Sequence, residues 1–259
     1  MDLGIKGKRA IVCASSRGLG CASAMRLAEA GVALTLNGRT PETLEATAEE
    51  IRAAYGAEVR TVAADVATPE GRAKLLEAEP LADILVNNAG GPPPGLWSDW
   101  DREDWLAALE QNMLTPILLA KAVLPGMLER GWGRIVNITS ASVKAPIPEL
   151  GLSNGARAGL TGFAAGTARQ VAKGGVVMNN LLPGPHWTDR LESNLQFRAG
   201  KLGKPVEEVQ AAAAAANPTG RFGTADEFGA VCAFLCSQHV GFMIGQNVLL
   251  DGGAFNSTF

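Results

Sequence analysis

Aromatic side chains are scarce in this chain: they make up 5% of its 259 residues, and tyrosine occurs once, as Tyr55. Any site away from Tyr55 must work without a phenol. Cysteine is also sparse, with four residues, too few for a disulfide framework in a chain of this length. Cys232 and Cys236 stand four apart in an apolar helical run with no His or Asp ligand beside them, so they read as buried thiols and no metal site is expected. A basic excess is missing too. Lys and Arg total 23 against 26 Asp and Glu, a net charge of −3, which argues against a nucleic-acid partner. The one long stretch without formal charge, Phe228 to Leu250, contains Ser237, Gln238, His239, Gln246 and Asn247 and reads as helix, turn and strand rather than a membrane span. The opening MDLGIKGKRAIVCA enters an apolar strand at once and lacks the shape of a signal peptide. The expectation is a soluble, cytoplasmic protein.

What is present is ordinary globular material, 47% hydrophobic and 19% charged, enough for a full core. Apolar runs of strand length fall at Ala10–Cys13, Val32–Leu36, Val59–Ala63, Ile84–Asn87, Ile135–Ile138, Val176–Leu181 and Val248–Leu250. Between them lie helical patterns near Leu19–Ala30, Pro41–Tyr55, Pro69–Ala78, Asp104–Arg130, Ser153–Lys173 and Ala225–Ser237. Strands without polar alternation are buried on both faces. The alternation predicts an α/β Rossmann fold of one domain over residues 1–259, with a doubly wound, seven-stranded parallel sheet in a three-layer sandwich. Gly90-Gly91-Pro92-Pro93-Pro94-Gly95 must be a stiff surface loop. The alanine run Ala211–Ala216 reads as a short helix. It is either simple helix propensity or part of a flap over a site, placed at about residues 186–220.

The polar motifs gather at strand ends. The first strand runs into Cys13-Ala14-Ser15-Ser16-Arg17-Gly18-Leu19-Gly20 and a helix, where glycines let the backbone approach a pyrophosphate on the helix N-terminus. Asp65-Val66 ends the third strand, Asn87-Asn88-Ala89-Gly90 the fourth, Asn137-Ile138-Thr139-Ser140 the fifth, and Pro183-Gly184 with Thr188 the sixth. Ligands bind at the carboxyl ends of such sheets. This set, with Gly220-Arg221-Phe222-Gly223 and Asp251-Gly252-Gly253, resembles the short-chain dehydrogenase/reductase family over nearly the whole chain. The resemblance implies that Ser15, Arg17, Gly18, Leu19 and Gly20 cradle the pyrophosphate of a nicotinamide dinucleotide, and that Asp65 and Val66 contact its adenine. Asn88, Ala89 and Gly90 would line the adenosine side, and Pro183, Gly184 and Thr188 the nicotinamide side. The second strand ends at Leu36-Asn37-Gly38-Arg39 with no acid to grip a ribose 2′-hydroxyl. Arg39 and Arg17 suit a 2′-phosphate instead, so NADP(H) is the expected cofactor. Otherwise both are solvated surface arginines.

The family pattern then breaks. Its reductases use a Ser, a Tyr-x-x-x-Lys and an Asn. Ser140 fits the first, but the tyrosine position is held by Ser153 and the lysine position by Arg157, similar to a β-ketoacyl-carrier-protein-reductase-like subgroup with an imperfect tetrad. A serine alcohol is a far weaker acid than a phenol of pKa about 10. Ser153 is either a hydrogen-bond donor to a developing oxyanion, together with Ser140, or a helix N-cap. Arg157 keeps the charge that holds the nicotinamide ribose, unless it is a surface helix residue. Pro116, four residues after Asn112, has no amide for the Asn112 carbonyl. The helix should kink there, freeing that carbonyl for a water. Lys144, His186 or that water remain as proton sources.

The leading expectation is an NADP(H)-dependent oxidoreductase reducing a small carbonyl substrate, β-ketoacyl- or ketone-like, through an altered relay. A catalytically silent NADP-binding sensor or subunit, an imine reductase and a non-redox enzyme on the same fold stay open. The resemblance also implies a homotetramer or homodimer built through the two long helices. Small residues such as Gly155, Gly159, Gly162 and Gly166 permit close packing between chains or within one. Trp97, Trp100, Trp105 and Trp187 either shape an apolar pocket or fill core.

Overall fold

The computed structural model describes residues 1–258. In chain order its elements are β1 (Arg9–Val12), α1 (Gly18–Glu29), β2 (Ala33–Gly38), α2 (Pro41–Tyr55), β3 (Val59–Ala63), α3 (Pro69–Ala78), β4 (Ile84–Asn87), α4 (Arg102–Leu109), α5 (Thr115–Glu129), β5 (Gly133–Ile138), α6 (Gly151–Val171), β6 (Val176–Pro183), α7 (Asp189–Leu202), α8 (Val206–Ala216), α9 (Ala225–Leu235) and β7 (Asn247–Leu250). The strands form one sheet in the order β3-β2-β1-β4-β5-β6-β7, each neighbouring pair parallel. The order reverses direction between β1 and β4, the switch point where such sheets bind ligands.

Val, Ile and Leu on both faces of the strands bury two separate cores. One, including Val12, Leu27, Leu36, Val86 and Phe228, lies under α1, α2 and α9. The other, including Ile11, Leu85, Leu119, Ile135 and Ala164, lies under α3, α5 and α6. This is the expected three-layer architecture. Glycine allows the tightest helix contact, because a Cβ at Gly229 of α9 would run into the Ala22 carbonyl of α1.

Three expectations about elements are corrected. The long helix Asp104–Arg130 is two helices joined by a π-helical turn, Glu110–Leu114, closed by the Thr115 amide on the Glu110 carbonyl. Pro116 removes the donor a regular ladder needs, and the chain responds by widening one turn. Helix α7 has no counterpart among the expected elements. Thr188 caps it, accepting a hydrogen bond from the Leu191 amide at 3.4 Å, and Gly203 closes it in the left-handed region at φ 61°. Those caps are the signal that marks it. Helix α8 starts five residues before the alanine run, at Val206. The two helices share a small apolar cluster of Leu195, Ala199 and Val209.

The small residues of α6 fall into two sets. Cβ atoms at Gly155 and Gly159 would collide with Trp105 and Met113 of the same chain, whereas Gly162 and Gly166 face open space. The four tryptophans singled out above neither line the central crevice nor fill core: Trp97 is 88% exposed, Trp187 stacks on Phe222, and Trp100 meets Trp105 edge to face beside the start of α6. All four cysteines are free thiols. Among the described residues no helix is long and apolar enough to cross a membrane.

Candidate active site

A crevice of about 1420 Å³ runs along the carboxyl edge of the sheet. Typical small-ligand pockets are ~300–1,000 Å³, so this one has room for a dinucleotide and a second molecule. Its lining brings together Arg17, Gly18, Leu19, Arg39, Asp65 and Val66 on one side of the switch point. Asn88, Ala89 and Gly90 follow from the end of β4, and Ser140, Ser153, Arg157, Pro183, Gly184 and Thr188 complete it. Residues far apart in the chain therefore share one surface, as expected from their positions at strand ends.

The turn after β1 shows how the backbone is shaped for a phosphate. Gly18 has φ +59°, a conformation glycine adopts without penalty. Ala14 adopts φ 46°, a strained choice for a residue with a Cβ. Two expected contacts are corrected here. Ser15 is fully buried; its hydroxyl donates to the Asn37 carbonyl at 3.2 Å and accepts from the Asn37 amide at 3.1 Å. It stitches β1 to β2, and Ser16 is the serine that lines the crevice. Gly20 does not reach the lining either. A Cβ there would strike the Ala14 carbonyl and lie 2.8 Å from Asn88 Nδ2, so this glycine lets α1 close onto the sheet.

At the end expected to hold a 2′-phosphate, Arg17 is engaged by Asp189 at 2.8 Å, both side chains largely exposed at 81% and 69%. Such a surface pair contributes at most about 1 kcal/mol and yields readily to a phosphate. Arg39 lines the crevice beside Thr40 and Thr43 with no ion pair among the described residues. No acidic side chain replaces it at the end of β2, where Asn37 is buried and spends its amide on the Val62 and Ala64 carbonyls.

The catalytic end departs from expectation in instructive ways. Helix α6 begins at Gly151 with Leu150 at its N-cap position, so Ser153 is not a cap but a residue of the first turn. Its Oγ accepts a hydrogen bond from Arg157 Nε at 3.2 Å, and Arg157 Nη1 donates to the Ile138 carbonyl at 2.7 Å. Arg157 is therefore no surface residue; it is 7% exposed. Burial, and then the like charge of Arg190, bring its pKa down to about 10, still protonated at neutral pH. With a lone pair of Ser153 taken by the guanidinium, the hydroxyl proton is free to point outward. Ser140 Oγ accepts from the Ser142 amide at 3.1 Å, leaving its own proton free likewise.

Lys144 is corrected as a proton source. It is exposed, outside the lining, with Nζ over the Phe255 ring at 5.6 Å. His186 does line the crevice, but it is wedged. Its Nδ1 lies 3.3 Å from the Gly184 carbonyl, its ring meets Phe228 edge on, and a Cβ at Gly223 would come within 2.8 Å of Nε2. Burial pushes its pKa down, so it is a neutral wall. Asn112 sits behind the lining at 1% exposure, and neither Nδ2 nor Oδ1 has a hydrogen-bond partner among the described residues. Thr139 Oγ1, in the lining itself, is in the same state. Orphaned polar groups at this depth cost ~1–3 kcal/mol each and fit a polar occupant. Arg190, from the first turn of α7, also lines the crevice. It is missing from the expected site because α7 is missing from the expected helices.

A family model described as Enoyl-(Acyl carrier protein) reductase matches residues 13–254. The chain is 32% identical to the 3-oxoacyl-(acyl-carrier-protein) reductase FabG of Aquifex aeolicus, covering 98% of this chain and 100% of that protein. It is 32% identical to the D-beta-hydroxybutyrate dehydrogenase of Cupriavidus necator, covering 96% and 98%. Among solved structures it is similar to L-sorbose reductase from Gluconobacter frateurii complexed with NADPH and L-sorbose, with a TM-score of 0.92, 30% identity, and coverage of 99% and 100%.

Proposed function

The chain belongs to the short-chain dehydrogenase/reductase family, and from that premise we propose that it binds NADP(H) along the crevice and reduces a small carbonyl compound. The bound cofactor supplies the hydride. The observation that carries the reading is the Ser153–Arg157 hydrogen bond inside the lining. Reduction builds negative charge on the carbonyl oxygen, and two hydroxyl donors at fixed positions, Ser140 and Ser153, stabilise it. Arg157 acts behind Ser153: a guanidinium donating to Oγ polarises that hydroxyl and favours charge beside it. This replaces part of what a phenol supplies, without matching its acidity. Arg17 and Arg39 support NADP(H) over NAD(H), and residues 88–90 and 183–186 in the lining are placed to border the rest of the dinucleotide.

The test is to mix the protein with NADPH and a panel of β-ketoesters, diketones, quinones and cyclic imines, and to follow loss of nicotinamide absorbance. Turnover of carbonyl members, abolished or strongly slowed in Ser153→Ala, supports the reading. Tight NADPH binding with no turnover of any compound would instead favour a silent sensor.

Cofactor choice is checked separately. Arg39→Ala raises the Kd for NADPH about tenfold to a hundredfold, the worth of one charge-assisted hydrogen bond at ~1.5–3 kcal/mol, and leaves that for NADH unchanged. An unmodified protein that binds NADH as tightly as NADPH refutes the assignment. Assembly through α5 and α6 is part of the same reading. It is supported by exposed Leu114 and Leu118, one turn apart, and by the open faces at Gly162 and Gly166. Sedimentation of Leu114→Glu/Leu118→Glu is expected to show a smaller species than the parent.

A further inference from the structure

We infer that the carbonyl substrate is itself an anion, an oxo acid whose carboxylate seats between Arg157 and Arg190. This rests on the reductase reading for its chemistry, though the binding site it describes stands independently.

Most arginines here meet an acid: Arg9 with Glu79, Arg26 with Asp226, Arg72 with Glu110, Arg221 with Glu227. Arg157 and Arg190 do not. Among the described residues neither has a carboxylate within ion-pair distance, and their hydrogen-bond partners are neutral. Arg157 holds Ser153 Oγ and the Ile138 carbonyl. Arg190 Nη2 holds the Pro92 carbonyl, above Gly91, where a Cβ would lie 3.1 Å from Nη2. The acids that border the crevice are committed or turned elsewhere. Asp189 pairs with Arg17, Asp251 accepts from the Gly253 and Phe255 amides, Asp65 accepts from the Ala67 amide, and Glu149 is exposed.

Two like charges drawn out of water beside each other are costly, and removing the cost takes a negative partner. Both guanidiniums line the one crevice, and the like charge of Arg190 helps to lower Arg157. Each has N–H groups left over after its neutral partners are served, since a guanidinium carries five. A carboxylate offers the matching fork.

Their place in the crevice says which molecule brings the anion. Arg157 is one helical turn from Ser153, and Arg190 lies two residues beyond Thr188. Both thus belong to the end where the carbonyl is held. An anion at the Arg157–Arg190 pair is therefore attached to the acceptor, a few carbons from its carbonyl, rather than to the dinucleotide.

The experiment titrates the NADP⁺-loaded protein calorimetrically with matched pairs: 4-oxopentanoate and its methyl ester, and 4-oxo-4-phenylbutanoate and its methyl ester. At least tenfold tighter binding of the acids is expected. Arg190→Leu should erase that difference, Arg190→Lys should retain much of it, and neither should change the Kd for NADP⁺. Equal binding of acids and esters overturns the inference. So does a preference that survives Arg190→Leu, or a Leu variant that loses NADP⁺ affinity instead, which would assign the pair to the cofactor's phosphates. Failure of the reductase reading looks different: acids bind preferentially, but NADPH is consumed with none of the four compounds.

Discussion

The double substitution Ser153→Tyr/Arg157→Lys is expected to raise NADPH-dependent reduction of a reactive diketone about 10²- to 10⁴-fold in kcat, the usual worth of a positioned general acid. The parent offers an alcohol whose proton is held far more tightly than a phenol's, so the alkoxide formed on hydride arrival must wait for solvent. A phenol at position 153 has room, since that position opens onto a crevice of about 1420 Å³. A lysine at position 157 sits beneath it in a setting where burial and Arg190 already depress a cation's pKa, and its charge lowers the phenol toward the working range. Single substitutions are expected to gain less. Ser153→Tyr alone sets the phenol beside a fixed guanidinium instead of a flexible point charge, and Arg157→Lys alone gives the amine no phenol to acidify. Stopped-flow absorbance under single-turnover conditions measures the step. An unchanged rate with NADPH affinity intact would show that residue 153 does not face the reacting oxygen.

The second large effect concerns stability. Asn87, Asn137, Asn180 and Asn247 are partners in register across β4, β5, β6 and β7, and their side chains form a chain of hydrogen bonds. Asn87 Nδ2 donates to Asn137 Oδ1 at 2.9 Å, Asn137 Nδ2 to Asn180 Oδ1 at 2.9 Å, and Asn180 Nδ2 to Asn247 Oδ1 at 2.8 Å. The first three are almost wholly buried. Asn137→Ala removes a donor and an acceptor from the middle at once. At ~1–3 kcal/mol for each partner left unmet, the expected loss is about 4 kcal/mol, or a fall in Tm of about 10 °C for a chain of this size. Asn247→Ala, at the half-buried end, unmatches one partner and should cost about 1 kcal/mol. Calorimetric unfolding of both variants checks the order. Equal losses would mean that the buried middle of the chain of amides carries no more stability than its half-buried end. The chain also reaches the site, since Asn87 Nδ2 touches the Pro116 carbonyl at 3.3 Å, next to the π turn that holds Asn112.

The parts of the site that are legible in the sequence share a physical cause. Val-, Ile- and Leu-rich runs without alternation can only be strands covered on both sides, and short polar motifs directly after them must lie on one rim. Val59–Ala63, Ile84–Asn87, Pro41–Tyr55 and Pro69–Ala78 therefore match residue for residue. The missing phenol is equally plain, because one Tyr55 before β3 cannot be in two places.

Which of two adjacent serines faces the ligand is a different kind of question. Ser15 and Ser16 are identical in composition and differ only in which one the β1–β2 pairing turns inward. Gly20 reads as a phosphate residue from its spacing, and only the close approach of α1 to the Ala14 carbonyl gives it another task. Arg190, in the first turn of α7, lines the crevice, whereas Lys144, in the loop before α6, is left exposed. Local patterning of apolar and polar residues sets the layers and the rim, because burial periodicity is a short-range property. Partnership, exposure and the charge a site carries depend on contacts between segments tens to hundreds of residues apart, and those exist only once the chain has packed.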